Sequence, residues 1–361
     1  MKDNAVKGLR KKMGWPVAKR EDGDDRWATM TEQVLAGIDD CDPLYRPTNF
    51  WGPGVDRILG DIRDRGFERF KAWPSAASWF YPRYGDGFAG ARMNEMMAAF
   101  AELRPDITEN RVRTILGGSL EARRDFHAVQ LAWDQERWPF DLLSFGESEI
   151  GGPQRFRLAK TDVGWTRPYL NYLLCLTALS RHVEAPPRSF LEIGGGFGVL
   201  GEIVTQRDPE ARYVDADIPP LVVIAAWYLD QVGPGAVTMP NDLPEGPFEI
   251  DAVGTLPSWR LPDLRTDFEV FVNSFSFQEM EPDVVANYAR IVASRGVEYV
   301  VSLNSRGGKR RATAGTEGGA IEPVTSQFIV DSFAEHGFEV AGRYGEPLVQ
   351  SAGELVVLRR K

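Results

Sequence analysis

The chain has few residues that build cross-links. Its 361 residues include two cysteines, Cys41 and Cys175, far apart in sequence. That excludes a disulfide framework and any zinc-type ligand spacing. Cys175 sits in the apolar run Leu173-Leu174-Cys175-Leu176 and reads as a buried thiol. Histidine is scarce as well: His127, His182 and His336 are the complete set. Basic charge is in deficit, with 42 Lys+Arg against 52 Asp+Glu and a net charge of −10. No basic stripe exists to follow a phosphate backbone, so nucleic acid is not an expected partner. The one cluster, Lys309-Arg310-Arg311, lies beside glycines and reads as a solvated loop, with contact to an acidic substrate as the lesser alternative. Long apolar runs are missing too. None is long enough to span a bilayer, and Met1 to Arg26 is highly charged, unlike a secretory leader. A cytoplasmic protein with no membrane partner is the expectation. No internal repeat is visible.

What the chain does have is a dense glycine cluster at a telling place. Ser189-Phe190-Leu191-Glu192-Ile193 alternates like a strand, Gly194-Gly195-Gly196-Phe197-Gly198 follows, and Val199 to Gln206 is helix-like. A helix N-terminus behind a glycine turn offers unpaired N–H groups and bare backbone to a ligand. Two fingerprints overlap here. Gly196, Gly198 and Gly201 spell the dinucleotide pattern G-x-G-x-x-G, while Glu192, Gly194, Gly196 and Gly198 spell E-x-G-x-G-x-G. The second resembles motif I of class I S-adenosylmethionine (SAM) methyltransferases. Its acid, two residues before the first glycine, suits a ligand carrying an ammonium group and would repel a pyrophosphate. A second strand, Arg212 to Asp217, ends in Ile218-Pro219-Pro220. Asp217 stands about twenty residues beyond the glycines, where an acid can take two ribose hydroxyls. Asp215 is the fallback on the same face, and a helix N-cap is the alternative role for Asp217.

The chain then divides in two. Residues 1–150 read as a mainly helical N-terminal domain that sets acceptor specificity, caps the site or dimerises; no pattern decides among these. Met1 to about Asp40 reads as a mobile arm or short helices, with Gly-Trp-Pro at 14–16 and one helix over Trp27 to Ile38. Gly52-Pro53-Gly54 marks a turn, and Val55 to Phe70 an amphipathic helix. Ala91 to Leu103 and Ser119 to Arg137 read as further helices. Eight of the ten tryptophans fall in the first half of the chain. Most are core, and some are expected to line an acceptor pocket, since aromatic faces suit the C–H faces of a sugar or a flat scaffold. A glycine-rich joint, Phe145 to Pro153, leads to an apolar helix over Thr166 to Val183.

Residues 151–361 alternate strand and helix. After Leu221 to Gln231, a helix, strands are expected at Phe248 to Leu256, Phe268 to Phe275 and Val297 to Leu303. Pro282 to Ser294 and Thr325 to His336 read as helices, and Arg306 to Gly319 as a glycine-rich, mobile loop. Phe338 to Tyr344 and Glu354 to Arg359 close the series as a strand pair. This is an α/β fold: a Rossmann-like, mostly parallel sheet with an antiparallel C-terminal edge.

The fourth strand runs out into Asn273-Ser274-Phe275-Ser276-Phe277-Gln278-Glu279-Met280. This run, with the Leu-Glu-Ile-Gly-Gly-Gly-Phe-Gly turn and the Asp-Ile-Pro end of the second strand, resembles a family of bacterial sugar O-methyltransferases from natural-product and polysaccharide pathways. Glu149-Ile150-Gly151-Gly152-Pro153 is a weaker match. The resemblance covers the chain from about residue 147 onward. It implies methyl transfer from SAM, leaving S-adenosylhomocysteine (SAH), to a hydroxyl of a sugar or glycoside. It also implies a cofactor site of Glu192, Gly194, Gly195, Gly196, Phe197, Gly198, Asp217, Ile218, Leu256, Asn273 and Ser274. An alcohol needs a base in hydrogen-bond reach. Glu279 is the first candidate, with a role at the start of the following helix as the alternative. Gln278, Asn304, Glu149 and His127 are the further candidates. A divalent metal would need convergent oxygens; Glu279 with Asp283 is one such pair, but Asp283 lies on the next helix, and no metal is predicted. The rival readings are N- or C-methyl transfer, an NAD-dependent oxidoreductase using Gly196, Gly198 and Gly201, and a non-catalytic nucleotide-binding module.

Overall fold

The computed structural model describes residues 22–87, 90–138, 140–313, 318–345, 348 and 353–361. The Gly-Trp-Pro at 14–16 and the expected arm before residue 22 lie outside them. One seven-stranded sheet organises the rest: β1 Ser189–Ile193, β2 Arg212–Asp217, β3 Val253–Pro257, β4 Val270–Ser274, β5 Tyr299–Asn304, β6 Phe338–Arg343 and β7 Glu354–Arg360. The order is β3-β2-β1-β4-β5-β7-β6. All neighbours from β3 to β5 are parallel, and β7 runs antiparallel to both β5 and β6. The antiparallel strand therefore sits one place inside the edge, with β6 outermost.

Strand alternation feeds two cores. Phe190, Val270 and Val272 face one side, while Leu191, Ile193 and Phe271 face the other. Of the longer helices, α1 Asp22–Ala36, α2 Gly52–Arg65, α3 Ala91–Leu103, α4 Ser119–Ala132, α5 Arg167–Ser180, α6 Val199–Arg207 and α7 Leu221–Val232 precede β3. Two more, α8 Pro282–Ala293 and α9 Ser326–Ala334, pack on the opposite face. Helix α5 is buried from Pro168 to Ser180; Thr166 caps it by accepting from Tyr169 N, and Pro168 needs no intrahelical donor there. The first core runs without a break from Trp27, Ile58 and Phe70 through Phe126 and Trp165 to Phe197 and Tyr228. It thus crosses the sequence boundary at 150.

Some expected boundaries move. Gly52 and Pro53 are the first turn of α2 and not a separate turn, because proline is tolerated at a helix start. That helix ends at Arg65, before Gly66, whose φ is +68°. The helix expected to reach Arg137 stops at Ala132. The third strand begins only at Val253, since Phe248 is drawn into an isolated bridge with Leu264.

Strand order reverses between β1 and β4. β2 and β3 extend one way from β1, and β4 and β5 the other. Crevices form at such a switch point, outside the carboxyl ends of the strands.

Candidate ligand site at the sheet switch point

The turns after β1 and β4 meet there. Gly194 has φ +74°, and a Cβ on it would come within 2.5 Å of the Ser276 side chain. A Cβ on Gly195 would lie 2.8 Å from both Asp215 Oδ1 and Glu192 Oε2. Bare backbone is therefore required on both sides of the turn. Ser276 Oγ donates to Ile193 O at 2.8 Å, and Asn273 Nδ2 donates to the same carbonyl at 2.9 Å. Asn304 Nδ2 donates to Asn273 Oδ1 at 2.9 Å. Phe275, between Ser274 and Ser276, holds φ +62°, a strained value for a non-glycine residue. The ends of β1, β4 and β5 are thus tied into one rigid edge.

A cavity of about 270 Å³ opens at this edge. Of the expected cofactor residues, Gly194, Gly195, Gly196, Phe197, Asp217, Ile218 and Ser274 line it. Asp217 Oδ2 accepts from Gly196 N at 2.9 Å and Oδ1 from Ile218 N at 2.7 Å. Each oxygen has spare lone pairs, so the group can still accept two hydroxyls. Burial, then the charge of Asp215, push its carboxyl well above the usual range. Asp215 is held behind the turn by accepting from Gly195 N at 3.0 Å.

Other expected residues stand elsewhere. Glu192 is fully buried; Tyr172 OH donates to one of its oxygens and Tyr213 OH to the other at 2.6 Å. It supports the turn from behind and does not line the cavity, because its side chain points into the first core. Burial and the neighbouring Asp215 push it up to about 8. Leu256 is enclosed in the second core. Asn273 and Asn304 are spent on the network between strand ends, and Asn304 Oδ1 also accepts from Gln278 N at 3.3 Å. Gly198 starts α6 with φ +84°, packed toward Leu229. His127 is exposed on α4, and Glu149 is exposed and paired with Arg155 at 2.8 Å.

Gln278 and Glu279 do line the cavity. Gln278 Oε1 accepts from Ser305 N at 2.6 Å. Glu279 is 8% exposed. Burial raises its carboxyl to about 7 against the opposing Lys309 ammonium and Trp51 indole. Lys309 Nζ lies 2.9 Å from Glu279 Oε1 and 4.8 Å from the Phe50 ring centroid. Lys309 is therefore not part of a merely solvated cluster: burial of Glu279 draws it inward. Asp283 instead turns to its own helix, accepting from Val284 N at 2.9 Å. Among the described residues, no group of three or more His, Cys, Asp or Glu could hold a metal ion.

The roof comes from the N-terminal part. Thr48 Oγ1 donates to Glu279 O at 2.8 Å, and Trp51 and Trp79 pack 5.6 Å apart beside it. Arg46, Phe80 and Arg167 also line the cavity. Sequence reasoning expected aromatic lining without assigning it; the Trp-rich stretch before Tyr84 was the signal. Behind Phe197, Lys71 Nζ lies 2.5 Å from Glu147 Oε1, both side chains fully buried. Lys71 also sits 3.9 Å from the Tyr228 ring centroid and 4.8 Å from that of Phe197. Its pKa is lowered by burial against the pull of Glu147.

No family model and no curated protein matches the chain. Solved structures similar to it include LaPhzM, at 15% identity and a TM-score of 0.34 over 54% of this chain and 60% of that one. The chain thus spans less than two thirds of the length of LaPhzM. The mitomycin 7-O-methyltransferase MmcR is similar at 15% identity and a TM-score of 0.36, covering 67% of each chain. Magnesium protoporphyrin IX methyltransferase (ChlM) from Synechocystis PCC 6803, with bound SAH, is similar at 13% identity and a TM-score of 0.37, over 66% of this chain and 98% of that one. Likeness at this level does not extend to reaction or substrate. Among the described residues, no helix is long and apolar enough to cross a membrane.

Proposed function

We propose that the chain is a SAM-dependent O-methyltransferase acting on a hydroxyl of a sugar or glycosylated small molecule. The observation that carries this reading is a single cavity that combines the bare glycine turn and Asp217 with a buried carboxylate, Glu279, under two tryptophans. Asp217 ends β2 and Glu279 lies beyond the end of β4, on opposite sides of β1 in the sheet. That placement suits a nucleoside held on one side and a reacting hydroxyl on the other.

Gly194 to Gly196 lend backbone to the cofactor, and Asp217 takes its ribose hydroxyls. Bound SAM supplies a methyl group already activated on a sulfonium. The protein's remaining task is to aim the acceptor and remove its proton. Trp51 and Trp79 offer flat faces to a sugar ring. Glu279 accepts the proton from the acceptor oxygen, and Lys309 opposes the burial that raises it, so that the carboxyl ionises at about pH 7. Gln278, with its carbonyl end held by Ser305 N, has its amide NH₂ left to orient the acceptor.

Calorimetry with SAM, SAH and NAD tests the cofactor. SAM and SAH should bind and NAD should not, and Asp217→Ala should weaken SAH by roughly ten- to a hundredfold. NAD binding without SAM binding would overturn the assignment. Labelled SAM offered with glycosides and with their fully O-blocked forms tests the acceptor, since transfer to the blocked forms would rule out O-methylation.

A further inference from the structure

Asn171 is a polar group of the cavity that the fold leaves unused. It lines the cavity, is only 3% exposed, and its Oδ1 has no hydrogen-bond partner among the described residues. Leaving a buried amide oxygen unpaired is costly, so a bound group that completes it is the simplest explanation.

Its position says which part of a ligand it meets. Helix α5 packs against β5, β7 and α6, on the far side of the glycine turn from β2. Asp217 marks the ribose side, at the end of β2. Asn171 approaches from the other side, one helical turn after Arg167, which also lines the cavity. The acid that sequence pattern assigns to the ammonium, Glu192, is withdrawn: the residue next to Asn171, Tyr172, holds one oxygen and Tyr213 the other. A zwitterionic amino-acid end entering here meets an amide that can accept from an ammonium or donate to a carboxylate, with a guanidinium one turn away.

We infer that Asn171, on the helix before β1, holds the amino-acid end of the cofactor in place of the strand acid Glu192. The inference rests on the reading that the cavity takes SAM. It makes the contact a neutral amide on α5, next to the tyrosine that keeps the acid occupied.

The test compares SAH with 5′-methylthioadenosine, the same nucleoside thioether without the amino-acid end, by calorimetry. The wild-type protein should bind SAH at least about tenfold tighter. Asn171→Leu should lose roughly ten- to a hundredfold for SAH and nothing for methylthioadenosine, bringing the two affinities together. Asn171→Ser, smaller and still polar, is measured alongside so that a folding defect in the leucine variant does not end the test. Equal loss of both ligands, or no loss of either, would overturn the role of Asn171 while leaving the SAM reading intact. Wild-type protein that binds neither ligand would overturn the SAM reading, and this inference with it.

Discussion

At the scale of single residues, the site turns on where carboxylates are buried and what they face. Glu279 faces the cavity with Lys309 against it, and its carboxyl is raised to about 7. If Glu279 is the proposed base it must be ionised to act, so turnover should rise with pH through about 7 and level off above it. Glu279→Gln should lower kcat by about 10²–10⁴ and flatten that profile, with SAH affinity unchanged. A variant that keeps full rate would remove Glu279 from the chemistry. Glu192 and Asp215 lie behind the turn, raised to about 8 and about 7 by burial, and in the case of Glu192 by the neighbouring Asp215 as well. A carboxyl raised in the folded state contributes stability that is complete below its unfolded value, about 4.3 for glutamate. That stability is lost as pH rises through the folded value. The melting temperature should therefore decline as pH rises from about 4 through about 8, and Glu192→Gln should make the decline shallower. An unchanged slope in that variant would place the linkage on other groups.

At the scale of elements, the sequence announced the strand–turn–helix unit because three local signals agree there. The apolar alternation of β1, the positive-φ glycines and the capless start of α6 are all short-range. The bounds of α3, Ala91–Leu103, were legible for the same reason. The start of β3 was not, because a tertiary bridge from Phe248 to Leu264 overrides a favourable local pattern. The roles of Asn273 and Asn304 were equally hidden. Their polar side chains at strand ends look available to a ligand, and only the packed edge shows them consumed by one another. Lys309 was hidden too, since nothing local to a glycine-rich loop says that a buried acid, Glu279, will draw it in. Asn273→Ala tests the edge. It strips a donor from Ile193 O and a partner from Asn304, and should destabilise the fold by about 1–3 kcal/mol in urea unfolding. A cost below about 0.5 kcal/mol would mean that the network is not holding the strand ends together.

At the scale of the molecule, a buried lysine, ion-paired within the N-terminal region, packs that region against the glycine turn. Lys71 and Glu147 are both fully buried, and Lys71 touches the rings of Phe197 and Tyr228. Glu202 extends the cluster by accepting from Tyr228 OH at 2.6 Å and Ser148 N at 2.7 Å. Lys71→Met leaves Glu147 buried without its cation and should cost about 3–5 kcal/mol of stability. Lys71→Met/Glu147→Gln should recover much of that, because a neutral pair carries no uncompensated charge. Equal losses in the single and double variants would show that packing and not charge is at stake.

The placement of β7 also dictates an order of assembly. β6 precedes it in the chain, yet among the described residues β6 pairs only with β7. As the chain emerges from a ribosome, the parallel block can close from β3 through β5 while β6 waits without a partner. Until β7 slots between them, β5 presents an open strand edge bearing Val300 and Val301, a template for pairing with another nascent chain. The interval between synthesis of β5 and arrival of β7 is thus when this protein is most exposed to aggregation, and when a chaperone would be of most use to it.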